Sequence, residues 1–345
     1  MTKSKVAMIV SNPQVPHNRE DYERIGADFV NVPCETEDEI VEATKDADFV
    51  ITMMKPISRR AIENMKQCRM IYNLGTGYEA IDLDAATDNG ICVSFPGGYC
   101  SQEVAEHTMG LILACARKIC RLDRVVRAGK WDSYEKKEVR TRILPPMFQL
   151  SGQTLGLVGF GRIAQKVVPM ARGFKMRILA HDPYVSSNLF DELGVKEASL
   201  DYIMENSDFI SIHAAFTQDS KHMFNAKRFK KMKNTAYLIN CARGDFIDEE
   251  ALCRAVEEGE IFGAGLDVLE KEGIRPDHPI LQLENITITP HTAFYSIESR
   301  ELFAWRPFED VSLVMKGFWP KCLINPAVKE AYAAKWGPLK DATEG

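Results

Sequence analysis

Three short apolar runs in the second half of the chain each end on a residue able to bind or move charge. Arg243 follows the run Ala236–Asn240 in Asn240-Cys-Ala-Arg-Gly-Asp245. Glu272 follows Gly263–Val268 in Leu269-Glu-Lys-Glu-Gly273, and His291 follows Ile286–Thr289 in Ile288-Thr-Pro-His-Thr-Ala-Phe-Tyr-Ser296. A guanidinium offers a planar fork that can hold a carboxylate and polarise an adjacent carbonyl oxygen. An imidazole can give that oxygen a proton, and a carboxylate beside the ring favours its charged form. Singly, each residue has an ordinary reading: Arg243 as a surface ion-pair former, Glu272 as a solvated loop acid, His291 as a strand terminator. Together at three strand ends, Arg243, Glu272 and His291 read as a catalytic set for reducing a carbonyl next to a carboxylate.

A dinucleotide would supply the hydride for such a reaction, and the chain carries a loop suited to one. Thr154-Leu-Gly-Leu-Val-Gly159-Phe-Gly161-Arg-Ile-Ala164 contains GxGxxA directly after an apolar run and at the start of a helical pattern. Gly159 allows the tight turn, and Gly161 lets the backbone approach a pyrophosphate. The N–H groups around Arg162 and Ile163 present the positive end of the helix to it. Asp182, 21 residues after Gly161, ends the next run, where a carboxylate can bond ribose hydroxyls and repel a 2′-phosphate, favouring NAD over NADP. Pro169 falls inside the helix and costs ~3 kcal/mol unless the helix kinks, so a kink is expected there.

The elements that must position these residues alternate apolar runs with helical patterns. Val6–Val10, Phe49–Met53, Met70–Leu74 and Ile91–Ser94 read as strands of one parallel sheet. Thr154–Val158, Arg177–His181, Phe209–His213, Ala236–Asn240, Gly263–Val268 and Ile286–Thr289 read as a second, doubly wound one. A single long helix is predicted from a Ser101 cap to Gly129. The aromatic-rich last fifty residues read as a return to the first domain. The fold class is α/β: two Rossmann-like doubly wound parallel-sheet domains, with a cofactor domain inserted into a substrate domain and a cleft between them. The expected division is 1–101 with 296–345 for substrate and 102–295 for the cofactor.

Composition narrows the function classes. The 345 residues are 45% hydrophobic and 27% charged, with net charge −6, an ordinary globular balance without the basic footprint of a nucleic-acid binder. Lys227-Arg-Phe-Lys-Lys-Met-Lys233 is basic, but Phe229 and Met232 are spaced as the buried stripe of a solvated helix. Nine cysteines without a CxxC pair suggest neither disulfides nor zinc, and fit a reducing compartment. His213, His222, Asp277, His278 and His291 form no HxxxH or HExxH pair, so no metal is expected. Val6–Val10 is too short for a signal core and Leu111–Ala116 too short to span a bilayer, so no membrane role and a cytoplasmic location are expected.

The motifs resemble the D-isomer-specific 2-hydroxyacid dehydrogenase family from about Met53 to Val311. They are Asn73-Leu-Gly-Thr-Gly-Tyr-Glu-Ala-Ile-Asp82, Val104-Ala-Glu-His-Thr108, the Gly159 loop, Asn240-Cys-Ala-Arg-Gly244, Gly265-Leu-Asp-Val268 and Pro290-His291. The resemblance implies that Arg243, Glu272 and His291 are the catalytic trio and that Asp267 holds the nicotinamide carboxamide. It implies that the backbone at Leu74 and Gly75, beside Asn73, receives the substrate carboxylate. Thr76, Thr108, Pro183, His213, Ala214, Cys241 and Ala242 would join Gly159, Gly161, Arg162, Ile163 and Asp182 around NAD. It also implies homodimers formed through the cofactor domains. Gly273 departs from the proline that usually follows the catalytic glutamate. Phe294-Tyr295-Ser296 looks most like the corepressor branch, the C-terminal-binding proteins, which have Trp-Tyr-Ser there.

Two functions follow. The chain is expected to be an enzyme interconverting a 2-oxo acid and a D-2-hydroxy acid with NADH in preference to NADPH. The alternative is an NAD(H)-sensing, corepressor-like scaffold, although no long disordered tail to carry partner motifs is expected after the fold. Substrate walls are expected from Met53, Met54, Lys55, Tyr99 and Phe294. That mix suits an apolar or aromatic side chain, while Lys55 could greet a second negative group.

Overall fold

Successive residues along a strand face opposite sides of its sheet, and the first strands of this chain are apolar on both sides. The computed structural model describes residues 3–10, 18–53, 55–131 and 139–341. They form two units, Met1–Tyr99 with Ser296–Gly345, and Cys100–Tyr295. In the first, β1 (Ser4–Met8), β2 (Ala27–Asn31), β3 (Phe49–Thr52), β4 (Met70–Asn73) and β5 (Cys92–Ser94) make an all-parallel sheet in the order β2-β1-β3-β4-β5. Val6, Met8, Phe49, Ile51, Met70 and Tyr72 pack on one face against Val311, Val314 and Tyr332 from the C-terminal helices. Ala7, Val50, Ile71 and Val93 pack on the other against Ile40, Ala61, Ile62 and Ala85. A parallel sheet covered on both faces is the arrangement in which continuous apolar strands are stable.

The tail is stitched to this sheet by buried polar groups. Ile324 N donates to Val93 O at 2.8 Å and Val93 N to Asn325 Oδ1 at 2.8 Å. Ser94 Oγ donates to Asp310 Oδ2 at 2.5 Å and Lys321 N to Asp310 Oδ1 at 3.0 Å. Burial outweighs these donors and pushes the Asp310 carboxyl up to about 6. The folded chain therefore holds a proton that the unfolded chain releases near pH 4, and stability falls as pH rises between the two values. The expected result is that Asp310→Asn removes that slope. Its stability relative to wild type should rise by up to about 3 kcal/mol between pH 4 and 6 in thermal or urea melts. A difference that does not change with pH would show that Asp310 titrates normally.

In the second unit, β6 (Thr154–Val158), β7 (Arg177–His181), β8 (Lys196–Glu197), β9 (Phe209–Ile212), β10 (Tyr237–Asn240), β11 (Gly263–Leu266) and β12 (Ile286–Ile288) are also all parallel, in the order β12-β11-β10-β9-β6-β7-β8. The chain winds one way from β6 through β7 and the other way from β9, which puts the topological switch between β6 and β9.

Four sequence expectations are corrected. The first strand is Ser4–Met8 rather than Val6–Val10, because its ladder begins at Ser4 opposite Ala27. The edge strands β2 and β8 were not predicted; Asp28 and Asn31 interrupt the first, and both residues of the second are exposed. The expected helix from Ser101 to Gly129 is two helices, Ser101–Ala116 and Ile119–Arg127, separated by Lys118 at φ 54°. Lys118 turns inward, its Nζ donating to Ile143 O at 2.7 Å and lying 4.6 Å from the Phe262 ring centre; burial lowers its pKa to about 8. Ser101 makes no cap, and Cys100 occupies that position. Pro169 lies inside the helix Arg162–Gly173, where its sequence position puts it. Phe229 and Met232 are buried as their spacing predicts, although the helix there is only Ala226–Phe229. No helix among the described residues is long and apolar enough to cross a membrane.

Candidate active site

The dinucleotide loop is built at the switch point. Gly159 follows β6 at φ 91° and donates its N–H to His181 O at 2.8 Å. A Cβ there would lie 2.4 Å from Ala214 N, so only glycine fits. Asp182 clamps the loop: its Oδ2 accepts Phe160 N at 2.8 Å and its Oδ1 accepts Tyr184 N at 2.9 Å. Each carboxylate oxygen can accept two bonds, so capacity remains for ribose hydroxyls. Pro183, between Asp182 and Tyr184 in sequence, is exposed. Gly161 caps the helix Arg162–Gly173 without a side chain, and the space where its Cβ would lie is open to 4 Å. The N–H groups at Arg162 and Ile163 thus have no capping side chain, which suits a pyrophosphate.

Around this loop, His213 N donates to Val158 O at 2.7 Å, and its ring Nε2 lies 2.9 Å from Ser211 Oγ. Burial lowers the His213 pKa to about 4, leaving the ring neutral at pH 7. Ala214 is the residue against which Gly159 closes. Thr108 is fully buried and hydrogen-bonded to Cys241, whose thiol burial pushes up to about 12. Ala242 N donates to Asn240 Oδ1 at 2.9 Å.

The trio stands at the ends of three neighbouring strands, β10, β11 and β12. Asn240 fixes the first loop, its Nδ2 donating to Arg243 O at 2.8 Å, while an Arg243 guanidinium nitrogen donates to Ala242 O at 2.8 Å. Gly244 is required by contact: a Cβ would lie 2.0 Å from Leu269 C, in the loop that leads to Glu272. Glu272 Oε1 lies 2.5 Å from His291 Nδ1. Gly273 has φ 77°, a path closed to the proline usual in this position. Phe294 sets its ring edge-on to His291, with centres 6.3 Å apart.

His291 is itself in the left-handed region, φ 52°, and Asp267 holds the turn that carries it. The Asp267 carbonyl accepts His291 N at 2.8 Å. Its carboxylate accepts Thr289 Oγ1 at 2.6 Å, Thr292 N at 3.0 Å and Ala293 N at 2.9 Å. His107 Nε2 lies 2.9 Å from Thr289 Oγ1 and 3.5 Å from Asp267 Oδ1. Sequence reasoning missed His107 and Thr289 as members of this network. Both stand inside quoted motifs, but nothing in their spacing joins a helix residue to a strand end 182 positions away.

In the first unit, Asn73 is buried and supports its own loop: Nδ2 donates to Gly75 O at 3.1 Å and to Gly77 O at 2.7 Å. Leu74 N donates to Thr52 O at 2.7 Å, Gly75 has φ 109°, and Thr76 is exposed. Met53 packs at the edge of the first core, and Tyr99 lies with its ring centre 5.4 Å from that of Phe303. Lys55 Nζ meets Glu35 Oε2 at 3.0 Å. Met54 lies outside the described residues.

The sequence profile of the D-isomer specific 2-hydroxyacid dehydrogenase NAD binding domain matches residues 109–293, more than half of the chain. The chain belongs to that family. A glyoxylate reductase of Korarchaeum cryptofilum is 37% identical to this dehydrogenase over 290 residues, 84% of the chain and 86% of the relative. An acyclic imino acid reductase in complex with NADPH and D-Arg superposes with a TM-score of 0.79 at 29% identity, covering 93% of this chain and 99% of that one. D-lactate dehydrogenase from Aquifex aeolicus, complexed with NAD and lactic acid, does so with 0.78 at 28% identity, covering 91% and 96%.

Proposed function

We propose that this dehydrogenase reduces a 2-oxo acid to a D-2-hydroxy acid with NADH, and runs the reverse oxidation. The observation that carries this reading is the 2.5 Å pair of His291 and Glu272 at strand ends next to Arg243, in a domain that also holds the uncapped Gly161 helix. When bound, NADH supplies the hydride that adds to C2 of the substrate. Arg243 holds the substrate carboxylate and draws electron density toward the carbonyl oxygen. With Nδ1 engaged by Glu272, His291 gives the proton on Nε2 to that oxygen, and Glu272 stabilises the imidazolium beforehand. In oxidation His291 takes the proton back.

Asp267 fits a dual part, holding the His291 turn while its Oδ2, with one N–H donor at 2.9 Å, retains a lone pair for the carboxamide. The backbone of Leu74 and Gly75, shaped by Asn73, is assigned to the substrate carboxylate. Thr76, Thr108, Pro183, His213, Ala214, Cys241 and Ala242 are assigned to the cofactor wall. Because Asp182 is held in place by two N–H groups, NADH is preferred over NADPH. Lys55 is paired with Glu35, which favours 2-oxo acids with an uncharged side chain, and Met53, Tyr99 and Phe294 are assigned to substrate recognition. A cytoplasmic homodimer completes the reading. The helix Ile119–Arg127 buries none of its residues, and Ile119, Val126, Trp131 and Phe148 are exposed in the same unit, so sedimentation of the purified protein should give twice the chain mass.

The test is NADH consumption against a panel running from glyoxylate and pyruvate through phenylpyruvate to dicarboxylic and phosphorylated 2-oxo acids, with NADPH as control. Turnover of an uncharged-side-chain member with NADH is expected. A preference for a dicarboxylic or phosphorylated member would refute the Lys55 argument, and tight NADH binding without any turnover would favour the sensing scaffold.

A further inference from the structure

Behind the three strand ends, a second set of charged side chains joins loops that the proposed chemistry leaves out of account. His222 sits at φ 51°, a conformation uncommon for residues with a side chain, and its Nε2 lies 2.9 Å from Glu270 Oε1. Lys221 Nζ stands 3.5 Å from the same oxygen and 3.4 Å from Asp245 Oδ1. The N–H of Glu270 donates to Glu249 Oε1 at 2.5 Å, and His222 N donates to Asp245 O at 2.8 Å. Gly244, directly after Arg243, packs on the backbone of Leu269 and Glu270. Segments 221–225, 244–249 and 269–272 are therefore fastened to one another at Glu270 by side chain and by main chain.

Glu272 lies two residues beyond that fastening, in a stretch with neither helix nor strand before Gly273. Such a segment loses no conformational freedom to a backbone ladder and needs another restraint to hold one geometry. Its carboxylate has to stay within hydrogen-bond reach of His291 Nδ1, and a displacement of about 1 Å in such a set can cost ~100-fold in rate. We infer that Glu270, clamped by His222, is a positioning residue that holds Glu272 against His291. The inference rests on the reading of Glu272 as the partner of His291. Neither Glu270 nor His222 touches the reacting atoms; both act through the loop.

Glu270→Ala and His222→Ala, each alone and in a Glu272→Gln background, test this in the full chain with NADH. Two readouts are needed: NADH-dependent reduction of a 2-oxo acid, and amide hydrogen exchange of residues 269–275. The expected result is a kcat lowered by about 10- to 100-fold with NADH affinity unchanged and faster exchange in that segment. The kcat loss should disappear when Glu272 is already Gln, because the two changes act on one interaction. Glu270→Gln, which keeps an oxygen for the His222 ring, should recover most of the rate. Unaltered kcat and exchange in both alanine variants would overturn the inference. So would an equal loss in the Glu272→Gln background, which would mark the cluster as general support. Should Glu270→Ala fail to fold, His222→Ala makes the same test from the other side of the contact. If the wild-type protein reduces no 2-oxo acid, the proposed reaction fails, while the exchange measurement still decides whether His222 and Glu270 restrain the loop.

Discussion

Replacing His291 with alanine is expected to lower kcat for 2-oxo acid reduction by about 10²–10⁴, the usual range for removing a general acid, while NADH binds as before. The separation of effects follows from where the parts lie. The groups that suit the pyrophosphate and the adenosine ribose are the Gly159 turn, the Gly161 helix end and Asp182, on β6 and β7, whereas His291 stands after β12 at the other end of the strand order. The His291 turn is fixed by its backbone contacts to Asp267, so removing the ring should leave the turn in place. Titrating NADH fluorescence alongside steady-state kinetics checks both halves. Undiminished turnover would remove His291 from the proton path; lost NADH binding would show that the ring serves the cofactor instead.

The second large effect is expected from the smallest change. Gly244→Ala puts a Cβ 2.0 Å from Leu269 C and 2.3 Å from Glu270 N, backbone atoms that cannot swing aside as a side-chain tip would. Relief requires the Arg243 loop and the Glu272 loop to move apart. The fold should lose about 1–3 kcal/mol, as for other overpacked sites, and kcat should fall by about 100-fold, as for a misplacement near 1 Å. Urea melts and kinetics at saturating NADH measure the two together. Wild-type stability and wild-type kcat would mean that the two loops accommodate the methyl group, and that their close approach is not what aligns Arg243 with Glu272.

Much of this arrangement is legible in the sequence because the fold makes local patterns carry it. Strands buried on both faces read as apolar runs, so β6 and β7 are found at their observed limits and the strands bearing Arg243, Glu272 and His291 to within two residues. The GxGxxA turn is readable because Gly159 needs a positive φ and Gly161 leaves room beside the helix end. The edge strands β2 and β8 carry no such signal: Asp28 and Asn31 interrupt the first, and Lys196-Glu197 is exposed and polar. The break at Lys118 was equally hidden, since it depends on carbonyls of Ile143 and Pro145 reached only after folding.

The same limit applies within the site. That a carboxylate should accompany His291 follows from residue types, but its holder does not. Asp267 looks from the motif like a cofactor ligand, and in the folded chain its carboxylate gathers Thr289, Thr292 and Ala293. His107, Thr289, His222 and Glu270 enter only through contacts between distant segments, which composition and spacing cannot reveal. Lys55 shows the converse: its type suggested a free charge, and folding gave it Glu35.

The most direct test of the central claim is to follow NADH consumption with pyruvate or phenylpyruvate and resolve the product by chiral chromatography. One D-2-hydroxy acid is expected per NADH oxidised. An L-hydroxy acid, or NADH that stays bound and unoxidised with every 2-oxo acid offered, would contradict it.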